Sequence, residues 1–358
     1  MSANTSPNWF RDVIEPLADS FDPAAVDEYV RVFTAAIGRP ELASRYEQVR
    51  RPRPFHGYEP ADVFVLSRVT LGADVAITSV VLDGMRRRFP QARIWFVGPR
   101  KNFELFESAS SVGHVELAYR RSGTIEERMA ASGALRDLVD HEDAIVVDPD
   151  SRLTQLGLVP VCDPARYYFF ESRARAGRGS LGQLTTAWVN EIFGIPDARA
   201  FIAPRPLTGG PAAAITVSLG VGENPGKRIA DPFERELLEK LAATGKSILI
   251  DKGAGGEETE RVERAIAGLP DIRTWQGAFA PFAAEIARST LYVGYDSAGQ
   301  HAAAAAGVPL ITIFTGFPNE RFLERWHPSG PGRIDVVRAD AEPGRVLEQV
   351  AGLIDPRP

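Results

Sequence analysis

Four short stretches set a charged or hydroxyl-bearing residue within two positions of glycine, a pattern that lets a ligand come close to backbone N–H groups. They are Leu71-Gly72-Ala73-Asp74, Gly226-Lys227-Arg228, Gly253-Ala254-Gly255-Gly256-Glu257 and Tyr295-Asp296-Ser297-Ala298-Gly299-Gln300-His301. The last runs into an alanine-rich segment, and small residues there would let an anion reach the free N–H groups at a helix start. Each stretch also has a plainer explanation. Asp74 suits the dipole at a helix N-terminus, and Lys227 and Arg228 suit a solvated loop. Glu257 suits the first turn of a helix after a flexible turn, and His301 suits a packed, hydrogen-bonded interior.

Other chemistries fail on spacing. Gly222-Glu223-Asn224-Pro225-Gly226-Lys227-Arg228 has its glycines one residue too close for a phosphate loop, and arginine stands where Ser or Thr would bind magnesium. No GxGxxG follows the first expected strand, which disfavours a dinucleotide-dependent dehydrogenase. Asp148-Pro149-Asp150 has the form of a metal-binding DxD, but a polar turn at a strand end explains it better. The five histidines are scattered, and Cys162 is the only cysteine, so neither a disulfide framework nor a cysteine metal cluster is expected.

The four stretches need strands and helices to hold them, and the hydrophobic pattern supplies these. Val63–Leu66, Arg93–Val97, Val115–Leu117, Ala144–Val147 and Tyr167–Phe170 are short apolar runs. Asp74 to Phe89, between the first two, and Leu181 to Phe193, after the last, have helical periodicity. The alternation restarts after a proline- and glycine-rich stretch at 195–211. Strands are expected at Ile215–Leu219, Ile248–Ile250, Leu291–Val293 and Pro309–Phe314. Helices are expected from Asp231-Pro232, from about Glu257 and from about Ser297, with a last amphipathic one over Pro343 to Ile354. Strand–helix alternation implies parallel sheets, so two series imply two Rossmann-like domains, with ligands at the C-terminal strand ends. Ahead of them lies a helical preface in which Asp22-Pro23 caps a helix and Val26, Val30, Phe33 and Ile37 share a face.

Bulk composition narrows the function. With 44% hydrophobic and 25% charged residues the chain has a globular balance. A net charge of −6 argues against a nucleic-acid binder. Arginine clusters at Arg50, Arg51 and Arg53, at Arg120 and Arg121, and at Arg173, Arg175 and Arg178 suit an anionic ligand, although a solvated charge run is the plainer explanation. The N-terminus lacks the pattern of a signal peptide and no apolar run is long enough to span a membrane, so a cytoplasmic location is expected, with peripheral membrane attachment left open.

Over residues 62 to 335 the chain resembles the heptosyltransferase-like glycosyltransferases of family 9. The resemblance rests on Gly72-Ala73-Asp74-Val75 with Arg87-Arg88-Phe89-Pro90, and on Lys227-Arg228-Ile229 and Gly253 to Glu257. It rests further on Val293-Gly294-Tyr295-Asp296-Ser297-Ala298-Gly299-Gln300-His301, on Ala305-Ala306-Gly307-Val308-Pro309 and on Arg325-Trp326-His327-Pro328. Ala73 stands between the family's glycine and aspartate, Ala298 replaces a signature glycine, and Ile229 replaces a tryptophan. The resemblance implies an α/β GT-B fold, two Rossmann-like parallel-sheet domains facing a cleft. The expected divisions are a helical extension at 1–58, an acceptor domain at 59–205, a donor domain at 206–338 and a terminal helix at 339–358 that packs back on the N-terminal domain.

The same resemblance implies an inverting, metal-independent transfer of a sugar from a nucleoside-diphosphate donor to a glycan, glycolipid or other hydroxyl acceptor, with no cofactor. Asp74 would be the catalytic base. Lys227 and Arg228, with N–H groups around Ser297, Ala298 and Gly299, would meet the diphosphate. Glu257 would bind ribose hydroxyls, Asp296 sugar hydroxyls or its own loop, and His301 a ligand or a neighbouring residue. Two other readings remain open at this point: a nucleotide-sugar epimerase on the same fold, and a nucleotide-sugar or glycan-binding protein without activity.

Overall fold

Asp62 to Leu66, all buried, form the central strand β1 of a parallel sheet. A strand covered on both faces needs no polar alternation, so Val63, Phe64, Val65 and Leu66 run together. Its companions are β2 (Arg93–Gly98), β3 (Val112–Glu116), β4 (Ala144–Asp148) and β5 (Tyr167–Phe169), in the order β3-β2-β1-β4-β5. A second parallel sheet holds β6 (Ile215–Ser218), β7 (Ile248–Asp251), β8 (Ile272–Trp275), β9 (Leu291–Tyr295), β10 (Leu310–Phe314) and β11 (Ile334–Arg338). Its order is β11-β10-β9-β6-β7-β8. The computed structural model describes residues 9–120, 123–207, 209–222, 224–253 and 255–354. Arg121, Glu223, Ala254 and the first eight residues, on which some of the expectations above fall, lie outside them.

The chain divides into two compact units. One comprises the chain up to Phe103, Ala109–Ala200 and Glu320–Arg325, and the other Glu104–Ser108, Phe201–Asn319 and the chain from Trp326 onward. The main change of unit, at Ala200 and Phe201, falls inside the proline- and glycine-rich stretch.

The helical preface belongs to the first unit and shares its core. Asp22 caps Pro23–Ala36 by accepting from the Ala24 N–H at 2.9 Å. The buried face of that helix, Val26, Tyr29, Val30 and Phe33, joins Leu135, Val139, Val146 and Phe169 in one apolar cluster. Tyr46, from the helix Leu42–Val49, meets Phe169 of β5 edge to face at 5.9 Å. The extension is therefore a layer of the first unit and has no core of its own.

The terminal helix departs from its expected place. Pro343–Ile354 buries Val346, Leu347, Val350 and Ile354 in one cluster with Leu237, Leu238 and Leu241 of the second unit. That apolar face is thereby used up where the sequence resemblance implied a return to the N-terminal domain. The late segment that joins the first unit is instead Glu320–Arg325. No helix among the described residues is long and apolar enough to cross a membrane.

Candidate functional site

In each sheet the strand order reverses once, between β1 and β4 and between β6 and β9, and such reversals open crevices at the C-terminal strand ends. Asp74 follows β1, and Asp296 to Gly299 follow β9. The sheet topology thus puts two of the four stretches beside the two switch points.

At the second switch point Lys227 and Asp296 meet, although 69 residues separate them. Lys227 Nζ donates to Asp296 Oδ2 at 2.5 Å, and Gln300 Nε2 donates to Asp296 Oδ1 at 2.6 Å. The loop carrying Lys227 is brought in by glycine. A Cβ on Gly316, whose φ is +63°, would lie 2.0 Å from the Gly226 carbonyl oxygen, so only glycine lets the backbones approach this closely. The Tyr295 hydroxyl accepts the Ile229 N–H at 3.3 Å, and Ile229 is buried in place of the expected tryptophan.

Ser297 is the N-cap of the helix Ala298–Ala306, yet its side chain makes no capping bond and its Oγ is buried without a partner. The first N–H groups of any helix lack an intrahelical acceptor and carry the positive end of its dipole. Beneath that end lies Tyr292, fully buried, its hydroxyl also without a hydrogen bond of good geometry. A Cβ on Gly299 would sit 2.2 Å from the Tyr292 hydroxyl oxygen, which explains glycine at that position. His301 is buried and packs its ring on Trp326 with centroids 5.7 Å apart. Burial holds its imidazole down at about 4, with Lys227 and His327 adding to the effect and Asp296 opposing it, so the ring is neutral at pH 7.

Arg228 and Glu257 are not brought into this arrangement. Arg228 Nε donates to Glu234 at 2.9 Å and its Nη2 to Asp231 at 3.0 Å. Asp231 is thereby engaged, and the helix expected to start on its cap runs over Phe233–Ala242 with no side-chain cap. Glu257 is exposed. The carboxylate over the strand ends is that of Glu258: a Cβ on Gly220 or Gly253 would meet it at 2.4 and 2.3 Å. Burial pushes the Glu258 carboxyl above its ordinary value. The sequence signal for it lay in those two glycines, one after β6 and one after β7.

The first switch point is closed. Asp74 is 0% exposed, and each oxygen accepts two bonds. Oδ1 takes the Arg68 N–H at 2.7 Å and the Thr78 hydroxyl at 2.6 Å, while Oδ2 takes Ser67 Oγ at 2.7 Å and Asn102 Nδ2 at 2.6 Å. Burial pushes this carboxyl upward against the pull of those four donors. The backbone shows how Ala73 is accommodated. Asp74–Thr78 is a π turn, closed by the Ser79 N–H on the Asp74 carbonyl. An i→i+5 turn holds one residue more than an α turn, so the helix Ser79–Arg88 still buries Val80, Val81, Leu82 and Met85.

The remaining candidates scatter. Asp148 accepts from the Ser151 N–H, Thr154 and Tyr167, and burial pushes its carboxyl up to about 6. Asp150 faces other partners, Ser172 at 2.7 Å and Arg173 Nε at 3.0 Å. Among the described residues no group of three or more His, Cys, Asp or Glu is arranged to hold a metal ion. The arginine run after β5 is not one solvated face. Arg173 is buried, Arg175 pairs with Glu191 at 2.7 Å, and Arg178 is exposed beside Glu324. Arg120 pairs with Glu127 at 3.5 Å on the surface.

Residues 231–331 match the family described as glycosyltransferase family 9 (heptosyltransferase). No curated protein matches the sequence. Several solved structures share the fold. A glycosyl transferase family 9 protein from Veillonella parvula is 16% identical, covers 78% of this chain and 86% of its own, and has a TM-score of 0.57. The E. coli heptosyltransferase WaaC, solved with ADP, is 17% identical over 81% of this chain and 98% of its own, with a TM-score of 0.61. The E. coli ADP-heptose lps heptosyltransferase II is 18% identical over 82% and 98%, with a TM-score of 0.55.

Proposed function

We propose, from the match of residues 231–331 to glycosyltransferase family 9 and the shared fold, that the chain transfers a sugar from a nucleoside-diphosphate donor to a glycan or glycolipid hydroxyl, with inversion and without a metal. The acceptor oxygen attacks the anomeric carbon on the face opposite the diphosphate. The new C–O bond forms as the bond to the β-phosphate oxygen breaks, and its electron pair leaves with the nucleoside diphosphate. Two demands follow: a base for the hydroxyl proton, and fixed positive charge for the leaving group.

The observation that carries this reading is the Lys227–Asp296 pair beside the N-terminus of Ala298–Ala306. A diphosphate arriving there would draw on the lysine, the free N–H groups and the unpartnered Ser297 hydroxyl, a cationic set that can stand in for a metal. Glu258 is the better placed of the two adjacent glutamates to take ribose hydroxyls. We assign the proton to Asp74, whose burial raises its basicity. The acceptor hydroxyl must then displace one of its donors. Asn102 suits this, because its Oδ1 has no partner and the amide is held from one side only.

The sealed state of Asp74 favours a second reading, nucleotide-sugar binding without transfer. One assay separates the two: ADP-, UDP- and GDP-sugars are incubated with glycan acceptors in the presence and absence of EDTA. Transfer undiminished by chelation is expected. Binding of a donor with no product supports the second reading, and loss of turnover in EDTA restored by Mg²⁺ or Mn²⁺ defeats the metal-free mechanism.

A further inference from the structure

We propose that Gln300 is a positioning residue, which holds Asp296, and through it Lys227, in register for the donor; this rests on reading that pair as the diphosphate site. Gln300 is fully buried within the helix Ala298–Ala306, in the first turn of a segment otherwise made of small residues and one histidine. Every polar atom of its amide is used. Nε2 donates to Asp296 Oδ1 at 2.6 Å and faces His301 Nε2 at 3.3 Å and the Trp326 carbonyl at 3.4 Å, while Oε1 accepts the Thr312 hydroxyl at 2.6 Å.

The direction of the amide is forced. A carboxylate only accepts, so Nε2 must face Asp296, and Oε1 is left to Thr312 on β10. One oxygen of Asp296 is thereby committed to Gln300, and the other is left facing Lys227. When a diphosphate draws the lysine charge away, Gln300 remains as a donor to a carboxylate that is almost wholly buried, which lowers the cost of releasing the lysine. His301 fits the same arrangement: a neutral ring accepts at Nε2 when its own proton sits on Nδ1.

The test uses Gln300→Glu and Gln300→Leu in the full chain, with ADP, UDP and GDP as probes in calorimetry. In Gln300→Glu two carboxylates face each other, and like charges raise a carboxyl pKa. Once protonated, the glutamic acid reproduces both bonds of the amide, its O–H to Asp296 and its C=O to Thr312. Nucleotide affinity should therefore fall about tenfold at about pH 8 and return to near wild type at about pH 5.5. The other groups facing this position are Lys227, His301 and His327, and wild type measured at both pH values removes their contribution. Gln300→Leu adds no charge and should bind about tenfold more weakly at both pH values, the effect of losing roughly one hydrogen bond to a charged group.

Leucine binding as tightly as wild type, with an unchanged melting point, overturns the proposal. So does a glutamate variant that binds like wild type at both pH values, a measurement that serves if the leucine variant does not fold. A wild type that binds none of the three nucleotides defeats the donor-site reading itself, and Gln300 falls with it.

Discussion

The two switch points differ in what they leave unpaired. After β1, Asp74 has four donors on two oxygens and no exposed surface. After β9, the buried hydroxyls of Tyr292 and Ser297 make no hydrogen bond of good geometry, and Lys227 meets Asp296 through one carboxylate oxygen. Buried polar groups are nearly always satisfied, so poorly satisfied ones at a helix N-terminus fit the proposed diphosphate site. Saturation marks rigidity. The contrast teaches that topology selects where a ligand can sit, while local satisfaction decides which of the two strand-end positions still has groups to offer one.

The largest effect is expected at the closed side. Asp74→Asn should lower kcat by roughly 10²–10⁴-fold if a proton must land there. Stability should fall by only about 1–3 kcal/mol, because the Asn102 amide can turn its unpartnered oxygen toward the new N–H donors. Turnover at saturating donor, read beside a melting curve, decides. A variant that melts earlier but turns over normally would make the saturated carboxylate purely structural.

Next in size is the open side. Lys227→Ala should weaken nucleoside-diphosphate binding by about 1.5–3 kcal/mol, the worth of a contact to a charged group, with little change in melting temperature. Unchanged affinity in calorimetry would remove the lysine from the site and erase the contrast.

The last effect concerns pH. The folded-state pKa of His301 is depressed to about 4, below its unfolded value, so the unfolded chain takes up a proton first as pH falls. The stability that depends on a neutral ring is intact above about pH 6.5 and is lost progressively toward about pH 4. Asp148, pushed up to about 6, works in the opposite sense, because the folded state gains its proton earlier. The comparison is therefore between wild type and His301→Leu: the melting temperature of wild type should fall more steeply below about pH 6.5. Parallel curves would mean that the ring titrates normally.

Much of this was legible in the sequence where burial is two-sided. β1, β4, β9 and β10 are continuous apolar runs because both faces are covered, and each was expected. The outermost strands β8 and β11 were not. Arg273, Thr274 and Asp335 lie within them, and half-exposed edges leave no apolar signature. Asp22 acts as the cap its sequence suggests, whereas Asp231 does not, because Arg228 competes for its carboxylate. Lys227 and Asp296 were both expected at the site, but no local pattern says that they touch. Glu258 was missed by one residue, since the phase of a helix that starts at Gly256 depends on left-handed glycines just before it. Gln300 drew no notice of its own, because a lone amide in a small-residue helix has no motif.

The segment Glu320–Arg325 has a consequence for the order in which the protein is made. Arg325, fully buried, donates to the carbonyls of Arg175, Gly177 and Gly179, and Arg321 to those of Phe21, Arg173 and Arg175. Five of those carbonyl contacts are made to a loop that leaves the ribosome 146 to 150 residues before its partners. Domains tend to fold as their chain emerges. Here the first unit must wait with that loop unclamped until most of the second has been synthesised. A nascent chain halted before residue 320 should therefore carry a protease-sensitive site between Arg173 and Gly179 that the finished protein has lost.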